Sequence, residues 1–159
     1  MKDNFANCLS LVLKYEGGYS DNRNDPGGAT MQGITQKVYD DYRQLHGRPK
    51  TSVRGILPAE RDAIYRGLYW DTIGADTIST GLDLLTFDIA VNSGPGKALE
   101  WLRATHYLAP VARIKALDAR RRGFWKSLGI FRFFGRGWFN REDDIVRHAL
   151  AMATPKTEV

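Results

Sequence analysis

Cysteine is nearly absent from this chain. The one present, Cys8, forbids an intrachain disulfide, so the fold does not depend on an oxidising compartment. Its place on the apolar side of the first expected helix makes it a buried packing thiol, which removes a Cys–His pair for peptide cleavage. Histidine is scarce too. His46, His106 and His148 lie far apart with no HxxxH or HxH spacing, which argues against a zinc amidase or peptidase, and no metal or other cofactor is expected. No apolar run is long enough to cross a membrane, so no membrane insertion is expected. The opening stretch MKDNFANCLSLVLKYE has neither the apolar core nor the small-residue cleavage site of a signal peptide, which predicts synthesis in the cytoplasm. Internal repeats and low-complexity segments are missing as well.

What is present is enough chain for one domain: 159 residues bury about two-thirds of their unfolded surface. A monomer is expected. The net charge of +5 is unevenly spread. From Arg103 to Arg141 ten Lys/Arg face a single acid, Asp118, for +9, which leaves the remainder at −4. Such a basic face suits a polyanion: nucleic acid, anionic lipid, or a bacterial wall with its carboxylates and phosphates.

The pattern is helical almost throughout. A first helix is expected from an Asp3 cap to Glu16, with Phe5, Leu9, Val12 and Leu13 apolar and Gly17-Gly18 as its stop. Residues 17–34 are too rich in Gly, Asp, Asn and Pro for a helix, and a short hairpin around Tyr19 and Thr30–Ile34 is expected there. Thr35 caps a second helix with Val38, Tyr39, Tyr42 and Leu45 on one side. Pro58, Pro95 and Pro110 each open a further helix. Between them, residues 80–92 are apolar nearly all round and belong in the middle of the molecule. Asp88 on that helix needs an arginine or a cap. Arg120–Arg122 reads as a solvated face. The aromatic stretch FRFFGRGWFNR reads as a core wedge in which Gly135 and Gly137 turn the backbone before a last helix at about 138–152. The tail after residue 152 is expected to be unstructured.

Glu16 stands at a helix C-terminus, where partial negative charge disfavours an ionised carboxylate. A carboxyl that keeps its proton is what a general acid needs. Asp25 follows nine residues later in an Asp-Pro-Gly-Gly turn whose polar surroundings suit an ionised partner, and two such carboxyls are the minimum for glycosidic cleavage. The same residues also fit inert turn chemistry, with Glu16 merely solvated beside Lys14. A calcium loop starting at Asp21 fails, since Arg23 and Pro26 occupy its third and sixth positions. Tyr69-Trp70 is a candidate sugar platform or, more economically, core filling. Asn92, just before Ser93-Gly94-Pro95, reaches for a substrate amide or simply ends a helix.

Three strings carry a resemblance: Glu16-Gly17-Gly18-Tyr19 with Asp25-Pro26-Gly27-Gly28-Ala29-Thr30 and Gly33-Ile34-Thr35; Phe87-Asp88-x-Ala90-Val91-Asn92-Ser93-Gly94; and Phe134-Gly135-Arg136-Gly137-Trp138-x-Asn140-Arg141. Together they resemble glycoside hydrolase family 108, peptidoglycan N-acetylmuramidases of phages and bacteria. The resemblance implies a mainly α, lysozyme-like helical domain. It divides the chain into a catalytic region (1–92), a peptidoglycan-binding-like helical region packed into the same unit (93–152) and a tail (153–159). It implies cleavage of the β-1,4 bond between N-acetylmuramic acid and N-acetylglucosamine, with Glu16, Asp25 and Thr30 as catalytic residues; Tyr19, Trp70 and Asn92 are the candidates, from their own chemistry, for contact with substrate. The spacing from Asp25 to Thr30 is five residues, one fewer than in phage-type lysozymes. The partner implied is the peptidoglycan glycan strand rather than nucleic acid, reached from the host cytoplasm through a holin pore. A lytic transglycosylase using one carboxylate, and a non-catalytic basic wall- or nucleic-acid-binding module, are the alternatives.

Overall fold

The computed structural model describes residues 4–21 and 28–154. The expected class holds: the described chain is mainly α, with one short hairpin after the first helix. In order come α1 (Phe5–Leu13), β1 (Thr30–Met31), β2 (Ile34–Thr35), α2 (Gln36–Leu45), α3 (Pro58–Tyr65), α4 (Leu82–Ser93), α5 (Pro95–Ala104), α6 (Pro110–Lys126) and α7 (Phe131–Ala153). A π-helical turn, Arg66–Trp70, extends α3. Among the described residues no helix is long and apolar enough to cross a membrane.

The chain forms two compact units, Leu9–Leu68 and Met1–Cys8 with Tyr69–Val159. The larger unit is a helical bundle around α4, whose first nine residues are all buried. Each Leu, Ile or Phe buried there contributes roughly 1.5–3 kcal/mol. Asp83 fixes the start of α4: its Oδ1 accepts from the Gly81 and Leu84 amides at 2.7 Å, and Oδ2 accepts from Asn4. Trp70 is a core residue at 1% exposure, packed edge-on against Phe5 and Phe87, with its indole N–H donating to Asp76. That corrects the sugar-platform reading, because a ring so enclosed has no face to offer a pyranose.

Asp88 finds its arginines, and it finds two. Arg121 Nη1 lies 2.6 Å from Asp88 Oδ2, and Arg141 Nη2 lies 2.7 Å from Oδ1. Burial opposes the charge on Asp88, but the two guanidiniums outweigh it and hold the carboxyl below the usual range. Arg121 also meets Glu142 Oε2 at 2.7 Å. Burial, helped by the nearby Asp88 and Asp118 carboxylates, pushes Glu142 up to about 8 against the pull of Arg121. Its other oxygen, Oε1, is buried without a hydrogen-bond partner.

Two expectations are overturned here. Arg121 is not part of a solvated face; it is fully buried, because Asp88 on α4 supplies the charge that makes burial tolerable and Glu142 on α7 supplies a further acceptor. Nor does the aromatic stretch form a turn and a core wedge. α7 runs unbroken through Gly135 and Gly137, while Phe133 and Phe134 stand 68% and 56% exposed. The helix survives two weak formers, at about 1 kcal/mol each, because Phe131, Trp138 and Phe139 stack on one another and on Trp125.

In the smaller unit Thr35 caps α2 as expected, its Oγ1 accepting from the Val38 amide. The apolar side of α2 is only partly covered: Tyr39 is buried, whereas Leu45 is 83% exposed. Val38, Tyr42 and Leu45 instead line a groove of about 540 Å³ together with Ile64 and Leu68. A buried acid, Glu60, ties α2 to α3. Its Oε2 accepts from Tyr39 at 2.5 Å, and its Oε1 accepts from Arg43 and Arg48. The Tyr39 hydroxyl leads in holding Glu60 below its usual range, against the cost of burial.

Candidate active site

α1 ends at Leu13, three residues earlier than the sequence suggests, and the backbone tightens beyond it. The Tyr15 and Glu16 amides donate to the carbonyls of Val12 and Leu13 at 3.1 and 3.2 Å, the i to i−3 pattern that often closes a helix. The turn leaves Glu16 half-buried, followed by exposed Gly17 and Gly18.

Against this helix end packs the tip of the hairpin. β1 and β2 pair antiparallel, Met31 opposite Ile34, through a two-residue turn in which Gln32 has φ 49° and Gly33 φ 78°. Positive φ at both positions is the geometry that matches strand twist in such hairpins. Glycine accepts it freely; glutamine does not, and Gln32 is held there by three hydrogen bonds. Its amide donates to the Gly17 carbonyl at 3.0 Å, its carbonyl accepts from the Tyr65 hydroxyl at 2.8 Å, and its side-chain oxygen accepts from Arg61 at 3.1 Å.

The turn brings the candidate acid into register with a phenol. A β-carbon on residue 33 would stand 2.8 Å from Glu16 Oε2 and 2.6 Å from the Tyr65 oxygen. The absence of a side chain at Gly33 is therefore what lets the carboxyl and the phenol approach the same point. Tyr65 is buried at the end of α3, the helix that Glu60 anchors. The arrangement offers one carboxyl able to give or take a proton, backed by a fixed hydroxyl.

Thr30 lies beside this cradle in the same unit. Its backbone pairs with Ser20 through two hydrogen bonds, Ser20 N to Thr30 O at 2.9 Å and Thr30 N to Ser20 O at 2.7 Å. Tyr19 is exposed, with the Arg54 guanidinium 5.0 Å from its ring centroid. Asp25, which falls in sequence between the paired Ser20 and Thr30, lies outside the described residues. Asn92 is exposed on the last turn of α4 and, like Trp70, belongs to the other unit. Among the described residues no group of three His, Cys, Asp or Glu side chains is placed to hold a metal ion.

Neither Gln32 nor Tyr65 stands among the residues that the sequence singles out. The available signal was the Gln-Gly pair between short apolar segments, a two-residue hairpin turn. Nothing local in α3 marks Tyr65.

A family model described as Glycosyl hydrolase 108 matches residues 9–94. Among solved structures, that of Brucella abortus SagA matches with a TM-score of 0.81 and 31% sequence identity, over 99% of this chain and 100% of that one. No curated protein matches the chain.

Proposed function

Because the chain belongs to the glycosyl hydrolase 108 family, we propose that it is an N-acetylmuramidase, cleaving the β-1,4 bond between N-acetylmuramic acid and N-acetylglucosamine in peptidoglycan. The observation that carries the reading is the Glu16 carboxyl at the hairpin turn, sharing its approach to Gly33 with the Tyr65 hydroxyl. Glu16 protonates the leaving glycosidic oxygen, a contribution on the order of 10²–10⁴ in rate. Asp25 orients or deprotonates the attacking water, or stabilises the oxocarbenium-like transition state. Thr30 helps position that water, Tyr19 shapes the substrate surface, and Asn92 binds an acetamido group. The exposed Arg and Lys of the run from Arg103 to Arg141, in which Arg121 and Arg141 are instead buried against Asp88, favour the carboxylates and phosphates of a wall.

The test is turnover of purified peptidoglycan by Glu16→Gln, with products read by mass spectrometry. A folded variant without lysis, and reducing-end muramic acid from the wild type, are expected. Full activity of the variant overturns the acid assignment. Anhydro sugars, with Asp25→Asn nearly as active as wild type, assign the reaction to a transglycosylase instead.

A further inference from the structure

The start of α7 carries an apolar stripe that the bundle leaves largely exposed. Ile130, Phe133 and Phe134 are 51%, 68% and 56% exposed, and their spacing of i, i+3, i+4 puts them on one side of one helical turn. Beside it, Phe134 stacks on Trp138, and Trp138, Phe131 and Phe139 carry the packing inward to Trp125. The exposed stripe is thus the outer rim of the same aromatic cluster.

Cations flank the stripe. Of the six Lys/Arg from Ala119 to Asn140, Arg121 is buried against Asp88 and Glu142 and Arg122 pairs with Asp118 and Asp143. Lys126, Arg132 and Arg136 are exposed and make no ion pair among the described residues. Arg132 lies 4.6 Å from the Phe133 ring centroid, so one cation borders the stripe itself, while Lys126 lies 5.8 Å from the centroid of Phe139 in the packed cluster. Large apolar side chains on one turn, flanked by unpaired Arg and Lys, are the chemistry of a helix lying at an anionic lipid interface.

We propose that the first turns of α7 are a peripheral membrane-docking face for anionic phospholipid: Ile130, Phe133 and Phe134 bury at headgroup level while Lys126, Arg132 and Arg136 pair with lipid phosphates. Nothing spans the bilayer. A second copy of the chain is a poor occupant, because two such faces would bring like charges together. Single-stranded nucleic acid would use the same cations, but Ile130 offers it no ring to stack on.

The experiment is co-sedimentation of the full chain with vesicles of phosphatidylcholine alone and of equal parts phosphatidylcholine and phosphatidylglycerol. Binding to the mixed vesicles only is expected. The double variant Phe133→Ser, Phe134→Ser should lose about tenfold or more in partitioning, because two apolar rings leave the interface. Arg132→Gln with Arg136→Gln should weaken binding and flatten its dependence on salt. Both variants replace exposed side chains and should keep the wild-type circular dichroism melt. No binding to mixed vesicles overturns the proposal. So does binding that the Phe variant retains, which marks general polyanion attraction. Loss of binding to lipid-free sacculi with vesicle binding intact assigns the face to the wall, and self-association removed by the Phe variant assigns it to a second copy.

Discussion

Replacing Gly33 by alanine tests whether the hairpin turn holds the acid in place. The added methyl would stand 2.6 Å from the Tyr65 oxygen and 2.8 Å from Glu16 Oε2, where ordinary contact begins at 3.4 Å. Both contacts are too short, so both neighbours have to give. The Tyr65 oxygen, tied to the Gln32 carbonyl, has to yield by about 0.8 Å and the Glu16 carboxyl, at the far end of its side chain, by about 0.6 Å. The backbone adds its own penalty, because alanine at φ 78° costs about 1–2 kcal/mol. A domain with roughly 5–15 kcal/mol of stability remains folded after that loss. Catalysis does not tolerate the displacement as well: misplacement of a reacting group by about 1 Å costs on the order of 10²-fold. Gly33→Ala is thus expected to unfold at lower urea concentration yet stay folded under assay conditions, and to release reducing sugar from peptidoglycan about a hundredfold more slowly. A folded Gly33→Ala enzyme with wild-type turnover would refute the reasoning, since the carboxyl would then not depend on the turn.

Tyr65→Phe removes the hydroxyl that pairs the Gln32 carbonyl; it should cost about 1–3 kcal/mol in urea denaturation and lower kcat more than KM, and an unchanged kcat would leave the phenol a purely packing role. Glu142, raised to about 8 from an ordinary 4.5, holds its proton more tightly folded than unfolded, so its contribution is full below about pH 4.5 and is lost as pH rises through about 8, by up to about 1.4 kcal/mol per unit. Glu142→Gln should flatten that slope in urea titrations across pH 5–8, and an unaltered slope would place the proton elsewhere. Asp88→Asn takes the countercharge from Arg121 and Arg141 and should cost about 3–5 kcal/mol, read as a fall in Tm; a wild-type Tm would mean that the pair contributes little to holding α4, α6 and α7 together.

Most helix starts were legible because their signals are local. The Thr35 cap and the prolines at 58, 95 and 110 each sit at the first turn of an observed helix. The hairpin was legible from glycine for the same reason, whereas the glycines at 17 and 18 place the end of α1 three residues beyond its observed end at Leu13. Features set by distant partners were not. Arg121 is buried because Asp88 lies 33 residues away in sequence and Glu142 21, and no window around Arg120–Arg122 contains that information. Glycine misled at the start of α7, where aromatic stacking on Trp125 outweighs the weak propensity of Gly135 and Gly137. Around the candidate site, Glu16 could be picked out by its position at a helix end, while Tyr65 took its place only once α3 was folded against Gln32.

The buried charges in the larger unit also decide how its helices mesh. Leu117 and Trp125 stand one turn to either side of Arg121 on α6. Sliding that helix by a single notch would confront Asp88 with one of these apolar groups and strand an anion in the dry interior. Greasy side chains alone would tolerate several such alignments at comparable energy; the Asp88–Arg121 pairing tolerates one.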